Sequence, residues 1–233
     1  MSDADRLMRV LACHQALHDP AREPRNASPW LPRLQAWQAA RLQRSFERFL
    51  DDPRKAPAAR FFLTDVYGDR DFSRRDADIV RVLPTMRRLL PAMLLDSVAD
   101  AIELGAITHA LDMRMAQALA AAGDAPIDEA RYAQAYRAVG HPRLRARQIA
   151  LIGTVGRGMG RALRLPGVGG LLRLARAPAH AAGLGELQDF LERGVAAFRQ
   201  LGDAAGFVDE IQRSERQVMQ RLFAGHRRPF ALD

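Results

Sequence analysis

Three carboxylates at helical spacing come closest, in this sequence, to a catalytic or metal-binding pattern. Asp96, Asp100 and Glu103 lie four and three residues apart, which places them on one face of a helix. Carboxylates held side by side repel one another, so a cation must face them if that surface is covered. A metal ion with His109 as a further ligand is one candidate, but the Glu-x-x-His pairs typical of di-iron bundles do not occur here. The sequence therefore favours arginine side chains as the compensating cations.

An acid and a phenol form a second candidate site. Asp65 and Tyr67 are two residues apart, and such a pair could relay a proton at a pocket mouth if both groups were desolvated. A structural interpretation of the same residues pairs Asp65 with an arginine and leaves the neighbouring phenylalanines to anchor a helix–turn–helix corner. Asp65 and Tyr67 are thus the candidate catalytic residues, although the sequence favours the structural interpretation.

The most unusual segment of the chain is basic. Residues 130–185 contain ten arginines and no aspartate or glutamate. In the helix predicted from Pro142, one side carries arginines and the other side carries apolar residues. The arginines on that side are Arg143, Arg147, Arg157, Arg161 and Arg164. They could face the acidic residues of the central helix, or they could bind an anionic partner, which could be an acidic protein, a phospholipid surface or a nucleic acid.

Glycines within the same helix suggest a third possibility, a phosphate cradle. Gly156, Gly158 and Gly160 do not complete a G-x-G-x-x-G motif, and no G-K-S/T follows them. Gly153, Gly156 and Gly160 instead predict the close approach of a second helix. The histidines and the single cysteine, Cys13, form no recognisable catalytic or zinc-binding pattern, so no cofactor is predicted.

The elements that must position these residues are helical. Alanine, leucine and arginine are strong helix formers, and no segment alternates polar and apolar residues with period two. The sequence predicts an all-α fold, a single compact domain over residues 1–233 with a possible weak subdivision at 123–127. About eight to ten helices surround a long central helix over about 92–122. The other helices are predicted over about 3–19, 30–50, 58–67, from Ser73 to 90, 128–139 and 142–165. Two amphipathic helices close the chain after a glycine- and proline-punctuated region that reaches Gly185.

One run of residues resembles a known family signature. The run Phe61–Ser73, FFLTDVYGDRDFS, resembles the FFLxDVYGxRDFS motif of a bacterial family of all-helical proteins, and residues 178–198 are similar to the same family. The resemblance spans most of the chain. It implies a helical fold, and it implies no activity, cofactor or catalytic residue because none is established for that family.

Charge and hydropathy limit the classes of function. The formal net charge is +8, and of the 35 basic residues only Lys55 is a lysine. No apolar run is long enough for a membrane-spanning helix or a secretory signal, so we expect a cytoplasmic protein. The leading hypothesis is a non-catalytic binding protein that uses its basic carboxyl-terminal half. The alternatives are a helical-bundle enzyme or cofactor binder, with a pocket near Tyr67 and the acidic residues, and peripheral membrane association.

Overall fold

The computed structural model describes residues 3–66, 92–164 and 167–231. Every regular element in these ranges is helical, so the predicted all-α fold is confirmed. The ranges hold nine α-helices: α1 (Asp3–His18), α2 (Trp30–Leu50), α3 (Ala56–Phe61), α4 (Ala92–Ala121), α5 (Glu129–Val139), α6 (Pro142–Arg164), α7 (Val168–Ala181), α8 (Gly185–Arg199) and α9 (Ala204–Phe223). A 3-10 turn at Pro24–Ala27 precedes α2, and a π-helical turn at Phe62–Val66 extends α3. Tyr67 and the helix predicted from Ser73 lie outside the described residues.

The long helix α4 is the centre of the fold, as the sequence predicts. Helices α1, α2, α5 and α6 all pack against it. Its 30 residues are rich in alanine, leucine and methionine, which favour helix and allow burial on several faces. Met113, Met115 and Leu119 are fully buried. None of the helices in the described ranges is long and apolar enough to cross a membrane.

Two cores rich in aromatic residues lie between these helices. Trp30 and Leu34 of α2 meet Tyr132 of α5 and Leu222 of α9 in one core. The other core is built mainly from phenylalanines of α2, α3, the π-helical turn, α8 and α9, and its rings lie edge-on or tilted, as aromatic quadrupoles prefer. The buried phenylalanines of this second core are Phe46, Phe49, Phe61, Phe62, Phe198 and Phe207.

Helix α9 approaches α6 closely along a face of glycines. A Cβ atom on Gly156 would lie 2.5 Å from Val208 Cγ2, and one on Gly153 would lie 2.6 Å from Gln212 Nε2. At Gly156 any side chain would push the two helices apart, whereas at Gly153 the amide end of Gln212 would have to move. The prediction that Gly153 and Gly156 mark a close helix approach is confirmed.

Helix α7 was not predicted from the sequence, which indicated only a glycine- and proline-punctuated region before Gly185. The chain turns at Gly167, whose φ of +86° suits glycine, and then forms 14 residues of helix. Gly169 and Gly170 fall in the first turn, where the cost of glycine is smallest. Pro178 lies only three residues before the end of the helix. Both features obscure a helix in the sequence, and neither prevents one.

Candidate functional site

Arginines from two other helices neutralise the acidic residues of α4. Arg6 Nη2 of α1 lies 2.6 Å from both Asp100 Oδ1 and Glu103 Oε2, and Arg6 Nη1 lies 4.0 Å from Asp96 Oδ1. Arg147 of α6 donates two hydrogen bonds to Glu103, at 2.8 and 2.9 Å. These hydrogen bonds, first those from Arg147, lower the pKa of Glu103. The network ties α1, α4 and α6 together through charge-assisted hydrogen bonds.

His109 belongs to a different assembly, a stack of three imidazole rings. The centroids of His14 and His18 are 4.1 Å apart, and those of His18 and His109 are 4.0 Å apart. The ring nitrogen His109 Nε2 lies 2.6 Å from the side-chain oxygen of Asn26. Burial and the two neighbouring imidazoles lower the pKa of His109 to about 4. His109 is therefore neutral near pH 7.

The histidine stack does not have the form of a metal site. Ring nitrogens bind metals through lone pairs in the plane of the ring, and in nearly parallel stacked rings those lone pairs do not converge on one point. Across residues 3–66, 92–164 and 167–231 no group of three or more histidine, cysteine or acidic side chains is arranged to hold a metal ion. Sequence reasoning grouped His109 with the acidic residues. The only sequence signal of the stack was the four-residue spacing of His14 and His18, which places both on one face of a helix.

Asp65 is a buried carboxylate that pairs with an exposed arginine. Asp65 Oδ1 accepts a hydrogen bond from Arg193 Nε of α8 at 2.8 Å. Asp65 Oδ2 accepts a hydrogen bond from the Thr64 hydroxyl at 2.7 Å. Only 7% of the Asp65 side chain is exposed. The pair fastens the π-helical turn to α8. The other member of the candidate proton-relay pair, Tyr67, is not among the described residues.

A buried polar cluster, which sequence reasoning missed, surrounds Asp112 of α4. Asp112 Oδ1 accepts a hydrogen bond from Gln38 at 3.0 Å, and the hydroxyl of Tyr132 lies 3.5 Å from the same Gln38 nitrogen. Arg145 is 5% exposed, and its guanidinium lies 3.5 Å above the Tyr136 ring. Burial raises the pKa of Asp112 to about 6, although Gln38 and the charge of Arg145 oppose the shift. The signal in the sequence was a carboxylate on the central helix, apart from the Asp96, Asp100 and Glu103 group.

The arginines of α6 divide into two kinds. Arg147 is paired with Glu103, and Arg157 donates to Asp209 of α9 at 2.8 Å. Arg143 and Arg161 are exposed, and neither has an acidic partner among the residues that the structure describes. The last of the five, Arg164, ends α6, and its side chain lies outside the described part of the chain. The same helix therefore carries arginines paired with acids of other helices and arginines without such a partner among the described residues.

A solvent-open depression lies at the start of α6. It has a volume of about 700 Å³, and its lining residues are His141, Pro142, Arg143, Leu144 and Arg147. The lining thus includes two arginines at the start of a helix, Arg143 and the Glu103-paired Arg147. Arginine side chains and a helix start both favour negative charge.

The fold and these contacts define an all-helical protein in which ion pairs join the helices and α6 also carries exposed arginines. Residues 17–229 match a family described as a domain of unknown function (DUF8198), and the chain belongs to this family. No curated protein and no solved structure matches the chain. Function must therefore be argued from the side chains themselves.

Proposed function

We propose that this protein is a non-catalytic interaction protein that binds an anionic partner through the basic surface of its carboxyl-terminal half. The observation that supports the proposal most directly is the exposure of Arg143 and Arg161 on α6. Both stand within residues 130–185, which contain ten arginines and no acid. An arginine without an internal acid keeps its five donors available to a carboxylate or phosphate.

The contrast with the paired arginines supports the same proposal. Arg147 and Arg157 are engaged by Glu103 and Asp209, so each contributes to holding α6 in the fold. Arg143 has no acidic partner among the described residues. It borders the open depression at the start of α6 instead. An anion there would meet a guanidinium and a helix start together, and both stabilise negative charge.

The experiment is the salt dependence of binding to a soluble polyanion, dextran sulfate. By analogy with nucleic acids, each arginine in contact contributes about 0.7–0.9 to the slope of log K against log salt. The double variant Arg143→Glu/Arg161→Glu should bind at least tenfold more weakly, with a slope that is smaller by about 1.4–1.8.

A matched control separates a specific surface from net charge alone. The variant Arg44→Glu/Arg54→Glu changes the same total charge at two exposed arginines in and just after α2. It should bind nearly as well as the wild type. An equal loss in both double variants would show that only net charge matters, and it would contradict the proposal.

A further inference from the structure

Helix α7 exposes leucines that no other part of the described structure covers. Leu171 is 65% exposed and Leu174 is 79% exposed, and no residue of α7 is buried. With Pro178 they stand at positions i, i+3 and i+7, so they form one stripe along the outer face of the helix. In the described ranges the other exposed large apolar residues are Leu191, on the neighbouring α8, and Met8. Exposed apolar surface is therefore concentrated on the α7–α8 pair.

Polar contacts hold the inner side of α7 against α8. Gln188 donates to the backbone oxygen of Leu172 at 2.7 Å, and His180 Nε2 lies 3.2 Å from Asp189 Oδ1. Arg176 also pairs with Glu192. These contacts fix the helix so that its leucine stripe points away from the fold.

Positive charge flanks the leucine stripe. Residues 168–181 contain no acid, and Arg173 is exposed without an acidic partner among the described residues. The guanidinium of Arg199 lies over Gly169, within 2.8 Å of the position that a Cβ atom would take. Leucines beside arginines on one short helix are typical of helices that lie in the interface of an anionic bilayer.

We infer that α7 docks the protein on an anionic phospholipid surface, with Leu171 and Leu174 inserted among the acyl chains and the neighbouring arginines at the headgroups. This inference rests on the proposed function, because it names the anionic partner. The stripe offers on the order of 300 Å² of apolar surface, whereas a stable protein interface needs about 800 Å² from each partner. The 14 residues of α7 span about 21 Å, which suits a helix lying in the interface and is too short for one crossing the bilayer.

The test compares vesicles with dextran sulfate as binding partners. The variant Leu171→Gln/Leu174→Gln removes the apolar stripe and leaves the net charge unchanged. Its partitioning into vesicles of phosphatidylcholine with about 30% phosphatidylglycerol should fall about 100-fold, tenfold for each leucine. Its binding to dextran sulfate should stay as strong and as salt-dependent as that of the wild type.

Three further measurements sharpen the test. Met8→Gln removes an exposed apolar side chain from α1, and vesicle binding should remain as in the wild type. A Leu174→Trp variant should show a blue-shifted emission on binding that is quenched by brominated acyl chains. Because both leucines are exposed, circular dichroism should show unchanged helix content in the double variant.

Each other outcome has a definite meaning. Equal vesicle binding by the wild type and Leu171→Gln/Leu174→Gln would overturn the inference and leave the proposed function standing. Wild-type binding to dextran sulfate but not to vesicles would also overturn the inference and leave the proposed function standing. It would indicate that the anionic partner is an acidic protein or a nucleic acid. A wild-type dimer that the double variant abolishes would show that a second copy covers the stripe. Absence of binding to both probes at low salt would instead reject the proposed function.

Discussion

The same substitution at two positions of α6 should have different effects on stability, because only one of the two arginines has an acidic partner in the described ranges. Arg147 donates two hydrogen bonds to Glu103, whereas Arg143 has no acidic partner in the described ranges. Charge-assisted hydrogen bonds contribute about 1.5–3 kcal/mol when buried. Because 48% of the Arg147 side chain is exposed, we reduce this contribution to about 1 kcal/mol.

Charge reversal adds repulsion to that loss. A glutamate at position 147 would face Glu103 at close range, which costs about 1 kcal/mol in a well-solvated contact and up to about 4 kcal/mol in a poorly solvated one. Glu103 keeps its hydrogen bond from Arg6, which limits the damage. We expect Arg147→Glu to lower the free energy of unfolding by about 2–3 kcal/mol. At about 2–4 °C per kcal/mol for a chain of this size, the melting temperature should fall by about 5–10 °C.

The matched variant Arg143→Glu should leave stability unchanged or slightly raised. Position 143 lies in the first turn of α6, where a negative side chain interacts favourably with the helix dipole, by about 0.3–1 kcal/mol. Urea unfolding followed by circular dichroism at 222 nm measures both variants. Equal losses of stability, or a loss below about 0.5 kcal/mol for Arg147→Glu, would refute the distinction between arginines with and without an acidic partner in the described ranges.

Two further predictions concern buried titratable groups, with opposite dependence on pH. The pKa of His109 is about 4 in the folded protein against 6.5 ordinarily, so between these values only the unfolded chain takes up the proton. The free energy of unfolding should therefore fall by about 2 kcal/mol as pH drops through this window. His109→Phe should remove most of that fall in urea unfolding at pH 7 and 4.5, and an unchanged slope would exclude His109 as its source. The pKa of Asp112 is raised from 3.8 to about 6, so the ionised carboxylate destabilises the folded state as pH rises through that range. The variant Asp112→Asn keeps an acceptor for Gln38. It should raise the free energy of unfolding by about 1–3 kcal/mol at pH 7.5 and change it little near pH 4. A variant less stable than the wild type at pH 7.5 would contradict this prediction.

Most of the helices could be predicted from local signals. The apolar stripe of α2 gave its bounds at Trp30 and Leu50, and Asp128 and Gly140 mark the two ends of α5. Asp128 accepts a hydrogen bond from the backbone N–H of Arg131, and Gly140 has the positive φ typical of a helix end. Helix α7 could not be predicted in this way. Its glycines and proline lower helix propensity, and part of its support comes from α8, for example through Gln188.

For the charged residues of the site, the sequence predicted only which side chains share a face of one helix. The spacing of Asp100 and Glu103 showed that cations must face them. It could not show that these cations are Arg6 and Arg147, because α1 and α6 are distant from α4 in the chain. The histidine stack was missed for the same reason, since His109 joins His14 and His18 only when α1 packs on α4.

The most direct test of the central claim is the salt dependence of wild-type binding to dextran sulfate. If Arg143, Arg161 and the arginines flanking α7 face the anion, log K should fall linearly with log salt, with a slope of about −2 to −4. Exposed charges are screened over about 8–10 Å near physiological ionic strength, so binding should be strongest well below it. A wild-type protein that binds no polyanion at low salt, or binds with a slope near zero, would contradict the account.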